Sequence, residues 1–318
     1  MMQAARAIIA LAAIVLATPS PAQQKAAERS QAAEPAADVA YGAYQKGQYL
    51  TAYLEATRRI EDSKDPKAMT LVGELLANGL GVKRDEARAA HWYRLAAEAG
   101  DREAIFALGM LHLQGRGVER NTAEAARRFR AAADLGQPLA AYNLALLYIA
   151  GETLPRDVPS ALRWFRAAAE QDLVDAQHAL ALLYKEGDSV QKDAREAARW
   201  LERAARLNHV PSMTEFAIAL FNGDGVQKDE ARAASLFHQA ALRGNPVAQN
   251  RYARILAAGR GAAQNSVDAC AWHTLARTRT VSDPQLDQVC DTLAPPGKEA
   301  LAKRLEQWLK GAPTSDRS

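Results

Sequence analysis

Residues 65–100 read DPKAMTLVGELLANGLGVKRDEARAAHWYRLAAEAG, and residues 101–136 read DREAIFALGMLHLQGRGVERNTAEAARRFRAAADLG. Laid over one another, they keep glycine, alanine and the Asp/Asn position in register at a spacing of 36 residues. Units starting near Gln137, Leu173, His209 and Asn245 continue the pattern, which makes six copies. A period of this size means a repeat array, in which each unit is too small to bury its own apolar face and packs on its neighbours.

The columns explain the unit. Gly79, Gly115, Gly151, Gly187, Gly223 and Gly259 form one column without exception, placed where a first helix, A, needs a left-handed residue to stop. Asp85, Asn121, Asp157, Asp193, Asp229 and Asn265 form another, and these residue types cap the start of a second helix, B. Helix B carries two all-alanine columns, Ala89 to Ala269 and Ala96 to Ala276, seven residues apart and therefore on one face. Helix B ends near Gly100, Gly136, Asp172, Asn208, Gly244 and Thr280.

The motif A-x-x-x-[LV]-[GA]…G-x-G-V-x-x-[DN]…A-x-x-W-[YF]-x-x-A-A-x-x-G closely resembles the Sel1-like branch of the tetratricopeptide superfamily. Gly73, Gly79, Gly81, Val82, Asp85, Trp92, Tyr93, Ala96 and Gly100 carry it in the first copy. Thr153 and Ser189 depart from it at the second loop glycine. The resemblance implies an all-α fold: a right-handed α-solenoid of helix-turn-helix repeats over residues 65–280. A tetratricopeptide-like pair over 39–64 precedes it, and C-terminal capping helices over 281–311 follow, with a disordered tail at 312–318. Within the cap, helices are expected at Asp283–Cys290 and Lys298–Lys310, separated by Pro295-Pro296-Gly297.

Outside the repeats, residues 1–22 read as a secretory signal: Arg6, then an apolar stretch from Ala7 to Ala17, then Ser20-Pro21-Ala22 as a cleavage site. The apolar run of 11 residues is short of the roughly 20 that span a bilayer. An uncleaved anchor or a buried helix is the alternative. Residues 23–38 are rich in Gln, Ala, Glu and Pro and read as a flexible leader. The 40 basic and 37 acidic residues are interspersed, with no polybasic run, which argues against nucleic acid or anionic lipid as a partner. Cys270 and Cys290 are the two cysteines, and in an oxidising compartment they are expected to pair between adjacent helices; two buried thiols are the alternative.

Motifs for chemistry are sparse. Gly79-x-Gly81 is half a dinucleotide fingerprint, but Arg84 stands where the third glycine belongs, and the loop joins two helices. The six histidines form no metal-ligand spacing: His112 and His273 fall in packing columns, and His178 sits on a variable face. Trp92, Trp164, Trp200 and Trp272 share a column that reads as core. We therefore expect no catalytic, metal or cofactor site.

What remains is a surface. In tetratricopeptide repeats helix A packs through the columns of Leu108, Gly109 and His112, which leaves those of Phe106, Met110 and Leu113 to face the concave groove. The third unit adds Tyr142, Leu146 and Ile149; the fourth, His178 and Leu182; the fifth, Ile218 and Phe221. The first unit has Thr70, Glu74 and Ala77 in these columns and the last has Asn250, Arg254 and Ala257, so the ends are mostly polar. Either the strip lines an apolar groove for a partner peptide or helix, or adjacent A helices bury it.

The function that follows is a periplasmic or secreted scaffold that binds a partner protein, with no enzyme activity. The layout is also similar to that of rhizobial exopolysaccharide regulators, which implies a negative regulator of a membrane sensor kinase. A cell-wall enzyme or carbohydrate-binding accessory is the reading from another class. N-terminal sequencing of the exported protein should find Gln23 first; a chain still beginning at Met1 contradicts the signal.

Overall fold

The computed structural model describes residues 38–187 and 190–311, and the expected signal, most of the leader, Ser189 and the tail lie outside these. Among the described residues there are 16 helices and no strands. The chain divides into two compact units after Ala176.

The first unit opens with the short pair α1 (Val39–Gln45) and α2 (Tyr49–Ser63). Three A/B pairs follow: α3 (Pro66–Asn78) with α4 (Glu86–Glu98), α5 (Arg102–Gln114) with α6 (Thr122–Asp134), and α7 (Pro138–Ala150) with α8 (Val158–Ala169). From α1 to α7, each helix packs on the helix that follows it in the chain. In the second unit, α9 (Val174–Glu186) and α10 (Ala194–Arg206) are followed by α11 (Val210–Asn222), α12 (Glu230–Leu242), α13 (Pro246–Ala258) and α14 (Ser266–Arg277). Two cap helices close it, α15 (Pro284–Asp291) and α16 (Pro295–Gly311), and both pack on α14.

Each pair is pinned at its loop. The first column glycine takes positive φ in all six copies, ending helix A. The Asp or Asn that follows caps helix B through its side chain. Its backbone N–H also donates back to helix A, as from Asp85 to the Leu76 carbonyl at 2.9 Å and from Asp229 to Leu220 at 2.9 Å. One residue thus satisfies the start of one helix and the end of another. Helix B then ends on a left-handed residue in every copy, including the non-glycine Asp172, Asn208 and Thr280.

Between the helices, small residues set the distance. Every alanine from Ala96 to Ala276 in the second column is fully buried. In the first two repeats a helix A glycine goes further: a methyl group on Gly109 would lie 2.8 Å from the Phe129 ring. The Tyr93 and Phe129 rings, both buried, fill the space this leaves.

The cap differs from expectation at one point. Pro295 and Pro296 do not separate two helices but form the first turn of α16. A first turn has no intrahelical use for its N–H groups, so proline is tolerated there.

The second loop glycine has a role beyond the turn. Gly225 has φ of +72°, and a Cβ there would lie 2.0 Å from the Ala194 carbonyl oxygen at the start of α10, in the preceding repeat. Gly244 is also left-handed, at +81°, but faces open space, its nearest neighbour being an Arg279 guanidinium nitrogen at 3.9 Å. We expect Gly244→Ala to cost about 1 kcal/mol, the left-handed penalty alone, and Gly225→Ala about 3 kcal/mol, because backbone must also move. Denaturant midpoints of the two variants check this; equal losses would show that the loop does not set the repeat spacing.

Candidate functional site

The columns named from the sequence lie on the A helices of both units. In the first, Phe106 and Tyr142 are half-buried, each leaning on the aromatic ring of its own helix B: Phe106 on Phe129 at 5.8 Å between centroids, Tyr142 on Phe165 at 5.5 Å. Burial, with a smaller effect of Asp175, pushes the Tyr142 hydroxyl up to about 12. Met110, Leu113 and Leu146 are half-buried, and Ile149 is buried.

The second unit places His178, Leu182, Ile218 and Phe221 half-buried. The His178 ring lies against His209 at 5.1 Å, and its Nδ1 is 3.0 Å from the buried Ser212 hydroxyl. Lys185, in the same columns, donates to Glu215 at 2.5 Å. The polar members His178 and Lys185 therefore bond to the next helix A, while the apolar members other than Ile149 are half-buried.

Ile218 and Phe221 lead into a cavity of about 490 Å³, within the size range of ligand sites. Ile255 of α13 and Leu286 and Val289 of α15 complete its apolar wall. Arg251, Arg254 and Arg260 stand around it. The Arg260 guanidinium covers the Phe221 ring at 4.5 Å and pairs with Glu230 at 2.5 Å. Arg260 and Lys228 together hold the Glu230 carboxyl down to about 2. Arg251 is exposed and makes no ion pair among the described residues.

Helix α15 is held in place by three contacts. Asp283, its buried N-cap, accepts from Asn250 at 2.9 Å, from Arg254 at 2.5 Å and from the Leu286 N–H at 3.4 Å. His273 Nε2 and Arg277 meet Asp287 at 2.9 and 3.2 Å. A disulfide joins Cys290 to Cys270 of α14, with Cα atoms 5.5 Å apart.

The Sel1 repeat matches this chain six times, over residues 66–101, 102–137, 138–173, 174–209, 211–245 and 246–279. The chain belongs to the Sel1 repeat family. A Sel1 repeat protein from Oxalobacter formigenes is 29% identical, covering 76% of this chain and 98% of its own, with a TM-score of 0.64. The protective antigen c5321 of uropathogenic Escherichia coli is 24% identical, covering 85% of this chain and 68% of its own, with a TM-score of 0.48. No curated protein matches the sequence.

Sequence reasoning reached one edge of the cavity and missed the rest. Ile218 and Phe221 came from the Sel1 columns, as did Arg254 and Ala257, read there as a polar end. Arg251 lies in a repeat column outside the strip, and Leu286 and Val289 lie beyond the repeats, with no column to reveal them. A helix over Asp283–Cys290 was expected, but not that Asp283 would cap it and reach back to α13.

Asp283 yields a pH test. Burial raises its carboxyl pKa, but bonds from Arg254, Asn250 and Leu286 outweigh that, and the net position is below the usual carboxylate value. Its contribution to stability is therefore present above the unfolded pKa, about 3.9, and is lost as pH falls through the lower folded value. Asp283→Asn should lower stability by about 2 kcal/mol at neutral pH. The gap to wild type should close in melts taken below about pH 4; a gap independent of pH contradicts the role assigned to this carboxylate.

Proposed function

We propose that this Sel1 repeat protein is an exported scaffold that binds a partner protein along the open edges of its A helices and catalyses no reaction itself. Sel1 repeats generally mediate protein interactions. The observation that carries the reading is the cavity beside Ile218 and Phe221: an apolar wall kept open at the end of the helix A columns. Apolar surface of that kind on a stable fold marks a site of contact. The disulfide supports export, since such bonds persist outside the reducing cytosol. Among the described residues no helix is long and apolar enough to cross a membrane.

Leu146→Asp, Leu182→Asp and Ile218→Asp, made singly, test it by crosslinking in the native cell. We expect helical content and thermal midpoint to hold, and recovery of the crosslinked partner to fall by about thirtyfold where the residue is a centre of contact. If all three variants unfold, the columns are core and the scaffold surface is elsewhere; if all three fold and capture is unchanged, the reading fails.

A further inference from the structure

The cavity in the second unit also has a charge character, and that narrows what can fill it. Its lining combines an apolar wall with three guanidinium groups and contains no carboxylate. Two of the three cations are balanced from behind: Arg254 by Asp283, whose side chain is 1% exposed, and Arg260 by Glu230. Each is itself about half exposed, at 46% and 50% of its side-chain surface, so its remaining N–H groups reach solvent at the rim. Arg251, one turn before Arg254 and Ile255 on α13, has no such balance among the described residues.

We propose that the occupant of this cavity is an acidic amphipathic segment of the partner protein, with apolar side chains seated against Phe221, Ile255 and Leu286 and flanking carboxylates on Arg251, Arg254 and Arg260. This rests on the scaffold reading above and specifies its partner. The chemistry is complementary on both counts. An aliphatic or aromatic side chain loses water against a wall already half dry. A carboxylate accepts paired N–H bonds donated by a guanidinium fork. A basic segment would meet three guanidinium groups on a lining without a carboxylate, and like charges brought together at an interface are a strong bar to the wrong partner. Helix α15 makes the site selective in shape as well. It supplies Leu286 and Val289, and the Cys270–Cys290 bond and the Asp283 contacts hold it against α13 and α14, so the wall is rigid before anything binds.

The test uses the folded, oxidised protein and a random peptide library displayed on phage. Selected peptides are resynthesised with a fluorophore, and each is paired with a counterpart in which every Asp and Glu becomes Lys. Fluorescence anisotropy then compares wild type with Arg251→Glu, a change at an exposed side chain that no ion pair holds, and with Ile218→Asp. We expect enrichment of sequences in which Leu, Phe or Trp is flanked by Asp or Glu. Their binding should weaken with added salt, fall about tenfold or more in Arg251→Glu, and be absent for the lysine counterparts. Enriched sequences that are neutral or basic, or acidic ones indifferent to Arg251→Glu, overturn the acidic occupant. If such sequences are lost in Ile218→Asp and compete with the crosslinked partner, the scaffold reading stands without it. If no peptide depends on Ile218 and partner capture is also unchanged in the three column variants, both fall.

Discussion

Everything in this molecule depends on how closely backbones can approach. A repeat array has no central core into which large side chains can be gathered, so cohesion comes from helices lying near one another over their whole length. Alanine makes that possible. The fully buried column from Ala96 to Ala276 presents a single methyl from each helix B, and Gly73 and Gly109 present none, so a ring of helix B can lie directly on the backbone of helix A. Dispersion attraction falls away steeply with separation, and a chain with few aromatic residues gains it by tight spacing instead of bulk.

The same constraint operates between repeats. The second loop glycine puts the loop against the opening turn of the previous helix B. A Cβ at Gly117 would lie 2.2 Å from the Glu86 carbonyl, and one at Gly261 2.2 Å from Glu230. Where arginine follows the first glycine, it grips that same turn: Arg116 reaches Glu86 at 2.7 Å and Arg260 reaches Glu230 at 2.5 Å. Such half-exposed pairs contribute little energy alone. Their geometric effect is to fix the approach that the glycine permits. At Arg260 the consequence reaches the cavity, because the pair with Glu230 also holds the guanidinium over Phe221.

The cavity exists because the last repeat is not followed by another. Within the array, polar residues of the A columns bond forward to the next A helix, as Thr70 does to Asp101 at 2.9 Å. After α13 the next element is α15, a helix of only 8 residues. It meets that requirement at Asp283, which takes both Asn250 and Arg254, and then stops short of filling the space beside Phe221 and Ile255. The disulfide and the Asp287 contacts keep this short helix in place where a longer one would hold itself by packing.

The sequence by itself determined the periodic part: helix A, loop, helix B, and which residue begins and ends each. It could do so because those choices are local. A left-handed stop needs glycine or a small polar residue, an N-cap needs an oxygen three residues before an orphan N–H, and both recur every 36 residues at Gly79, Asp85 and their equivalents. It also marked the apolar A columns, since helical spacing assigns a face. Only the tertiary structure decided that the second glycine spaces one repeat from the last, that Pro295 begins a helix, and that Arg251, Leu286 and Val289 share a cavity with Ile218. Those facts rest on contacts between residues far apart in the chain, and near a cap the repeat no longer predicts what its neighbour will be.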